Sequence, residues 1–209
     1  MVLQGFIRKQ VSGRIPEGKR TVTDNQAMES LQGKFLVATP QMPDPRFKEQ
    51  VIYLCSHDGN GAMGLVINQP TTYSLAEIFK SVKIEAGAGD WPPIYIGGPV
   101  EVEAAFFLYS HDYLATSFME VGEGVRLSRD PKILHDIAKG VGPRHYLFVL
   151  GYAGWGPGQL EAELTVNGWL TLPAENSILF ETPDQEKWQK AAQRFGIDIA
   201  LFNDQIGTA

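Results

Sequence analysis

The chain has one cysteine, Cys55, among 209 residues. A single thiol cannot close an internal disulfide, so the fold has no covalent staple, and a lone cysteine suits a reducing cytoplasm. No apolar run approaches the roughly 20 residues that span a bilayer. The first residues lack the apolar core of a signal peptide. A cytoplasmic protein that does not enter membranes is therefore expected. The G-x-S-x-G, H-E-x-x-H and C-x-x-C patterns are missing, which removes familiar hydrolase, metalloprotease and thiol-redox signatures. Repeats and low-complexity tracts are missing too. No lysine or arginine lies between Arg144 and Lys187.

What is present is an ordinary globular composition, 44% hydrophobic and 20% charged, long enough for one substantial core or two small ones. The charge is unevenly placed. Residues 1–27 hold Arg8, Lys9, Arg14, Lys19 and Arg20 against Glu17 and Asp24, a net of +3. The whole chain is −6, which leaves −9 on residues 28–209. An acidic body repels the phosphate backbone that normally supplies nucleic-acid affinity. With no helix-turn-helix pattern either, direct nucleic-acid binding is not expected.

Residues 1–27 are polar and aperiodic, and read as a flexible basic tail before a single domain at 28–209, with Met28 a possible start. Residues 35–38 form the first strand. Residues 51–56 and 63–68 are apolar on both alternations, as strands covered on both faces should be. Between them Asp58-Gly59-Asn60-Gly61 is a hairpin turn. Ser74, with Glu77 three residues on, caps a helix through Val82. Strands follow at 94–96, 105–109, 117–121 and 125–127, and a helix opens at Asp130-Pro131 and closes at Gly140. Residues 146–150 are a buried strand. From Gly151 the glycines turn the chain sharply into a short helix with Leu160 and Leu164 on one side, ended at Asn167-Gly168. Residues 178–180 read as a last buried strand. A final helix presents Trp188, Ala191, Ala192 and Phe195 on one face, and residues 199–202 pack behind it.

Two nucleotide patterns fail on inspection. Gly13-Arg14-Ile15-Pro16-Glu17-Gly18-Lys19-Arg20 is one residue short of a P-loop, and Arg20 stands where a hydroxyl should meet Mg²⁺. Gly59 to Gly64 fits G-x-G-x-x-G, but a dinucleotide site needs a helix there, and Leu65-Val66-Ile67 is a strand former. No cofactor and no metal are expected. Cys55 and His57, two apart on a strand, share a face and form the candidate reactive thiol pair, beside a plainer reading as core residues. Candidate ligand contacts are Asp58 and Asn60 on the hairpin, Gly98 in the turn 97–99, and Gly154, Trp155, Gly156 and Gly158. The last group lies ahead of a helix and could present free N–H groups to an anion, or serve backbone geometry alone. Glu161 and Glu163 are about 200° apart on an ideal helix and do not pair, with Glu163 on a solvated face.

The stretch GYAGWGPGQLEAEL followed by NGWL closely resembles the signature of the YqgE/AlgH family of bacterial proteins. GKFLVATP at 33–40, VIYLCSHDGNGAMGLVINQP at 51–70, GGPV at 97–100 and residues 178–198 agree in order and spacing. The resemblance implies an α+β fold, a mainly antiparallel β-sheet folded into a barrel-like roll with a few flanking helices. The family has no established biochemical activity, and one branch carries a transcription-regulator label. The leading functional expectation is a non-enzymatic domain that binds an unidentified small molecule or protein partner. The alternatives are a transcriptional regulator acting through a partner, and an enzyme using Cys55/His57 or an anion held at the glycine loop.

Residues 1–27 have too little apolar content to pack. Limited proteolysis should therefore remove them before it cuts the body, and deleting them should leave the melting temperature nearly unchanged. Equal resistance of tail and body would contradict this.

Overall fold

The computed structural model describes residues 29–199 apart from 88 and 167. Expectations for the tail at 1–27, a start at Met28, a helix end at Asn167 and packing by residues 200–202 fall outside the described residues. The elements are β1 (Lys34–Ala38), β2 (Val51–Asp58), β3 (Gly61–Val66), β4 (Pro70–Ser74), α1 (Leu75–Val82), β5 (Pro93–Ile96), β6 (Val100–Ser110), β7 (Met119–Gly122), β8 (Val125–Ser128), α2 (Lys132–Ala138), β9 (Tyr146–Trp155), α3 (Gln159–Thr165), β10 (Trp169–Pro173) and α4 (Asp184–Gln193).

The strands form one sheet in the order β10-β1-β2-β3-β9-β6-β8-β7, with β5 joined to β9 and β4 to β5. All pairings are antiparallel except β5 with β9. The sheet curls into a half-barrel. Gly122 on the last strand, β7, comes so close to the start of β1 and to β2 that a Cβ there would lie 2.1 Å from Tyr53 Oη. Strand alternation then sorts the core. Phe35, Val37, Val51, Tyr53, Leu147 and Val149 join residues from every strand but β4 in one cluster, which fills the concave side with Ala191 and Ala192 of α4. Their neighbours Leu36, Ile52 and Leu54 lie under α3, while Phe148 and Leu150 lie under α1 and α2. These are strands buried on both faces, as their unbroken apolar runs require.

β9 is the hub. One edge carries β6. The other is shared: Phe148–Leu150 pair with β5, and Ala153–Trp155 pair with β3. The handover needs backbone to cross backbone. Gly97 N donates to Leu150 O at 2.8 Å, and Val66 N donates to Gly97 O at 3.0 Å. A Cβ on Gly98, at φ +150°, would sit 2.2 Å from the Tyr152 carbonyl carbon, and one on Gly97 would sit 2.4 Å from Gly151 O. Gly151 itself, at φ +70°, works as a bulge. Before it Val149 faces inward and Leu150 outward; after it Ala153 and Trp155 face outward.

The glycine-rich stretch is therefore not a turn from Gly151 onward. The strand continues to Trp155, and the chain turns only at Gly156–Gly158. Residues 178–180 are not a strand but part of a π-helical turn at Ser177–Glu181, with Thr182 N donating to Ser177 O at 3.0 Å. Three apolar residues in a row do not distinguish a strand from a buried helical turn. In α4 the inward face contains Ala191 and Ala192 as expected, but Phe195 is 37% exposed and Lys187 is buried. Lys187 Nζ donates to Ile67 O at 2.9 Å and to Asp184 Oδ1 at 2.8 Å, and Tyr95 Oη donates to the same carboxylate. Burial pushes the Lys187 ammonium below its ordinary pKa, and Asp184 opposes that shift. The helix after Ser74 has the expected capping box. β4 and the early start of β6 at Val100 had no distinct local signal. Among the described residues, no helix is long and apolar enough to cross a membrane.

Gly98→Ala should destabilise the protein by roughly 3 kcal/mol or more, because main-chain atoms of β9 must move to admit the methyl group. Gly156→Ala, where the nearest atom to a Cβ is Gln159 Oε1 at 3.9 Å, should be nearly neutral. Chemical denaturation of the two variants checks the contrast.

Candidate functional site

Pairing of β3 with β9 sets Ala62 opposite Trp155, so the β2–β3 hairpin lies beside the glycine loop. Asp58 and Asn60 thus share one end of the sheet with Gly154, Trp155, Gly156 and Gly158. Asp58 Oδ1 accepts from Asn60 N at 2.7 Å, which closes the hairpin tip. Gly98 is elsewhere, buried in the β9 crossing with no open face.

The loop is held by the helix that follows. Gly156 N donates to Gln159 Oε1 at 3.1 Å, and Gly158, at φ +73°, leads into the seven residues of α3. Glu163 is not on a solvated face. Its Oε2 accepts from Trp155 Nε1 at 2.9 Å and from Trp169 Nε1 at 3.0 Å, while Oε1 accepts from Gln159 at 3.0 Å. Glu161, on the other side of α3, meets His57 Nε2 at 2.7 Å. The His57 side chain is 2% exposed. Leu31 N donates to its Nδ1 at 3.0 Å, so the ring proton sits on Nε2 and is donated to Glu161. That bond holds the Glu161 carboxyl below its ordinary pKa. An anion at this loop would meet Glu161 and Glu163 with no lysine or arginine from residues 145–186, so the corner does not favour one.

A bulge parts the thiol from the imidazole. In β2, Leu54 pairs with Gly64 but Ser56 pairs with Met63, so the alternation slips by one residue. Cys55 stays with Tyr53 in the concave core, fully buried, and burial pushes its thiol pKa far up. His57 instead reaches α3 and the segment at residues 30–31 on the convex side. Strand periodicity alone put them on one face.

The open cleft lies elsewhere, at the seam where the rolled sheet fails to close. The β7–β8 hairpin forms one wall (Glu120, Glu123, Gly124, Arg126), and Ala174, Glu175 and Asn176 after β10 form the other, with His111 at one end. Its volume is about 670 Å³. Asn176 Nδ2 bridges the walls to Glu123 O at 3.4 Å. Arg126 is fixed by Glu120 at 2.7 Å, by the carbonyls of His111 and Tyr113, and by stacking 4.6 Å over Phe118. A second hollow of about 480 Å³ shares Glu175 and is bordered by Lys190 and Arg194 of the chain after the π-turn. Sequence reasoning missed this cleft because its residues come from three distant segments without a local motif. The Glu120–Arg126 cross-strand pair was the one available hint. Among the described residues, no group of three or more His, Cys, Asp or Glu could hold a metal ion.

If Cys55 is sealed in the core, alkylating reagents should label it slowly in the native protein and quickly in denaturant. His57→Asn should leave the native rate nearly unchanged. Fast native labelling that falls in that variant would show a working pair.

A family profile described as AlgH-like matches residues 35–200. A UPF0301 protein of Desulfotalea psychrophila is 45% identical over 186 residues, covering 88% of this chain and 97% of that one. Another, of Thioalkalivibrio sulfidiphilus, is 42% identical and covers 88% and 99%. The solution structure of the AlgH protein from Pseudomonas aeruginosa is 41% identical, with a TM-score of 0.70, over 90% of this chain and 100% of that one.

Proposed function

We propose a binding, non-enzymatic role for the chain, which belongs to the AlgH-like family. The observation that carries the proposal is the seam cleft. At about 670 Å³ it falls within the roughly 300–1,000 Å³ of small-molecule sites. Its walls offer a ligand the Glu123 carboxylate, the His111 ring and the Asn176 amide. Arg126 has three hydrogen-bond partners and the Phe118 ring already, which makes it a rigid wall rather than a free hook. The ligand is accordingly polar and able to donate hydrogen bonds to carboxylates.

Enzymatic use of Cys55 with His57 lacks support, because the bulge in β2 sends the two side chains to opposite faces. A lone free thiol fits a cytoplasmic setting. Any effect on transcription would run through a protein partner, since the −9 carried by residues 28–209 opposes contact with a phosphate backbone.

The test is an NMR titration of the ¹⁵N-labelled full chain with a panel of amino acids, diamines and nucleotides. A saturable shift of the Gly124, Glu175 and Asn176 amides by one class, weakened at least tenfold in Asn176→Leu, is expected. Saturable shifts confined to the hairpin tip and glycine loop would move the site to the other end of the sheet and overturn the proposal.

A further inference from the structure

Residues 1–28 lie outside the described residues, but the point from which they depart does not. Glu29 is bonded to Lys34 Nζ at 3.0 Å. Lys34 pairs with Pro173, which directly precedes Ala174 and Glu175 in one wall of the seam cleft. Gln32 Nε2 donates to Glu120 O, in the other wall, at 3.1 Å. The N-terminal segment therefore leaves the body beside both walls. We propose that this segment is the occupant of the cleft in cis: its basic cluster Arg14, Lys19 and Arg20 enters the cleft and competes there with outside ligands. The inference rests on the reading of the cleft as a binding site.

Charge selects this pairing. The cleft is lined by the carboxylates of Glu120, Glu123 and Glu175 against the single guanidinium of Arg126. Glu120 is already bonded to Arg126 at 2.7 Å, and Glu175 to Arg194 at 2.8 Å. Glu123 has no ion pair among the described residues; only its main-chain oxygen is used, by Asn176. Its carboxylate is the one a cation entering the cleft would meet unneutralised. The adjoining hollow is bordered by Lys190 and Arg194, which repel a second set of cations, so the cluster belongs on the Glu123 side. Reach is sufficient. Eight residues, 21–28, separate Arg20 from Glu29, and extended they span up to about 26 Å. A tether of that length holds the cluster at roughly millimolar concentration around its anchor. Weak pairing then gives partial occupancy, which leaves the segment open to proteases and adds little to the melting temperature. Ion pairs in an open cleft are screened by salt, so the occupancy is salt-dependent.

The experiment uses the ¹⁵N-labelled full chain with Ser12→Cys carrying a nitroxide; Cys55 is sealed in the core. Paramagnetic broadening of the Gly124, Glu175 and Asn176 amides reports the segment in the cleft, and the amides of α1 on the outer layer serve as the control. At low salt the cleft amides should lose at least half their intensity relative to α1. The triple substitution Arg14→Ser, Lys19→Ser, Arg20→Ser should abolish that excess, as should 0.5 M NaCl (about a 4 Å screening length), and Glu123→Gln should reduce it. Putrescine, a simple diamine, should shift the same amides and bind at least threefold more tightly in the triple variant. Broadening that is even over the body, or that survives the triple substitution, reflects tethering alone and overturns the cis occupant. Putrescine shifts of equal strength in both chains, without excess broadening, overturn it too but leave the cleft standing as a binding site. Silence of the cleft amides toward both the nitroxide and putrescine overturns the two together.

Discussion

Everything in this fold depends on one edge of β9 serving two partners. A strand edge offers one row of hydrogen-bonding groups, and here β5 takes the first part and β3 the last. The exchange is possible only if the chain from β5 leaves the edge within a residue or two. It does so by passing almost in backbone contact over β9 at Gly97, Gly98 and Gly151, where side chains have no room. The same crossing lets the β3 side and the β5 side face different helices. It thereby makes two outer layers, one under α3 and one under α1 and α2, on a single curled sheet.

Those layers are fastened differently. The α1 and α2 layer is mainly apolar, with Phe79, Ile133 and Ile137 closing over Phe107 and Phe148, and Tyr113 Oη donating to Asp136 of α2 at its margin. The α3 layer is pinned by carboxylates, Glu163 between two indoles and Glu161 on an imidazole. Seven residues bury too little surface to hold a helix by the hydrophobic effect alone, and charge-assisted hydrogen bonds supply orientation that apolar contact does not. In the stretch from Gly151 to Leu164, the side chains of Gln159, Glu161 and Glu163 are thus all engaged in fastening α3 to the sheet.

Much of the architecture was legible because its signals are local. Ser74 with Glu77 gives a helix start, and Asp58 to Gly61 gives a hairpin, from a handful of neighbouring residues. The roll itself came from resemblance, since curvature has no signature in periodicity. The failures share one cause. Gly151 and the β2 bulge each shift the two-residue alternation by one, and alternation was the basis for joining Cys55 to His57. Glycine reads the same whether it ends a strand or bends one. Lys187 was missed for a related reason: a lysine on a polar-looking helix reads as solvent-facing unless the partners Ile67, Asp184 and Tyr95 are already in view. The seam had only the Glu120–Arg126 pair to point to it, because His111, Glu123 and Asn176 meet only once the whole sheet has curled.

The pairing of β1 with β10 has a consequence for how the protein is made. Ala38 lies opposite Trp169, 131 positions later. At the usual 5–20 residues per second, a ribosome needs on the order of ten seconds to travel between them. Throughout that interval the nascent chain exposes one unpaired side of Phe35-Leu36-Val37-Ala38, an apolar ribbon of the kind that recruits other strands. Correct synthesis therefore favours either a chaperone resident on that ribbon or a delay in docking β1 until its late partner emerges. Slowing translation between these two segments should raise the aggregated fraction more than an equal delay after Pro173.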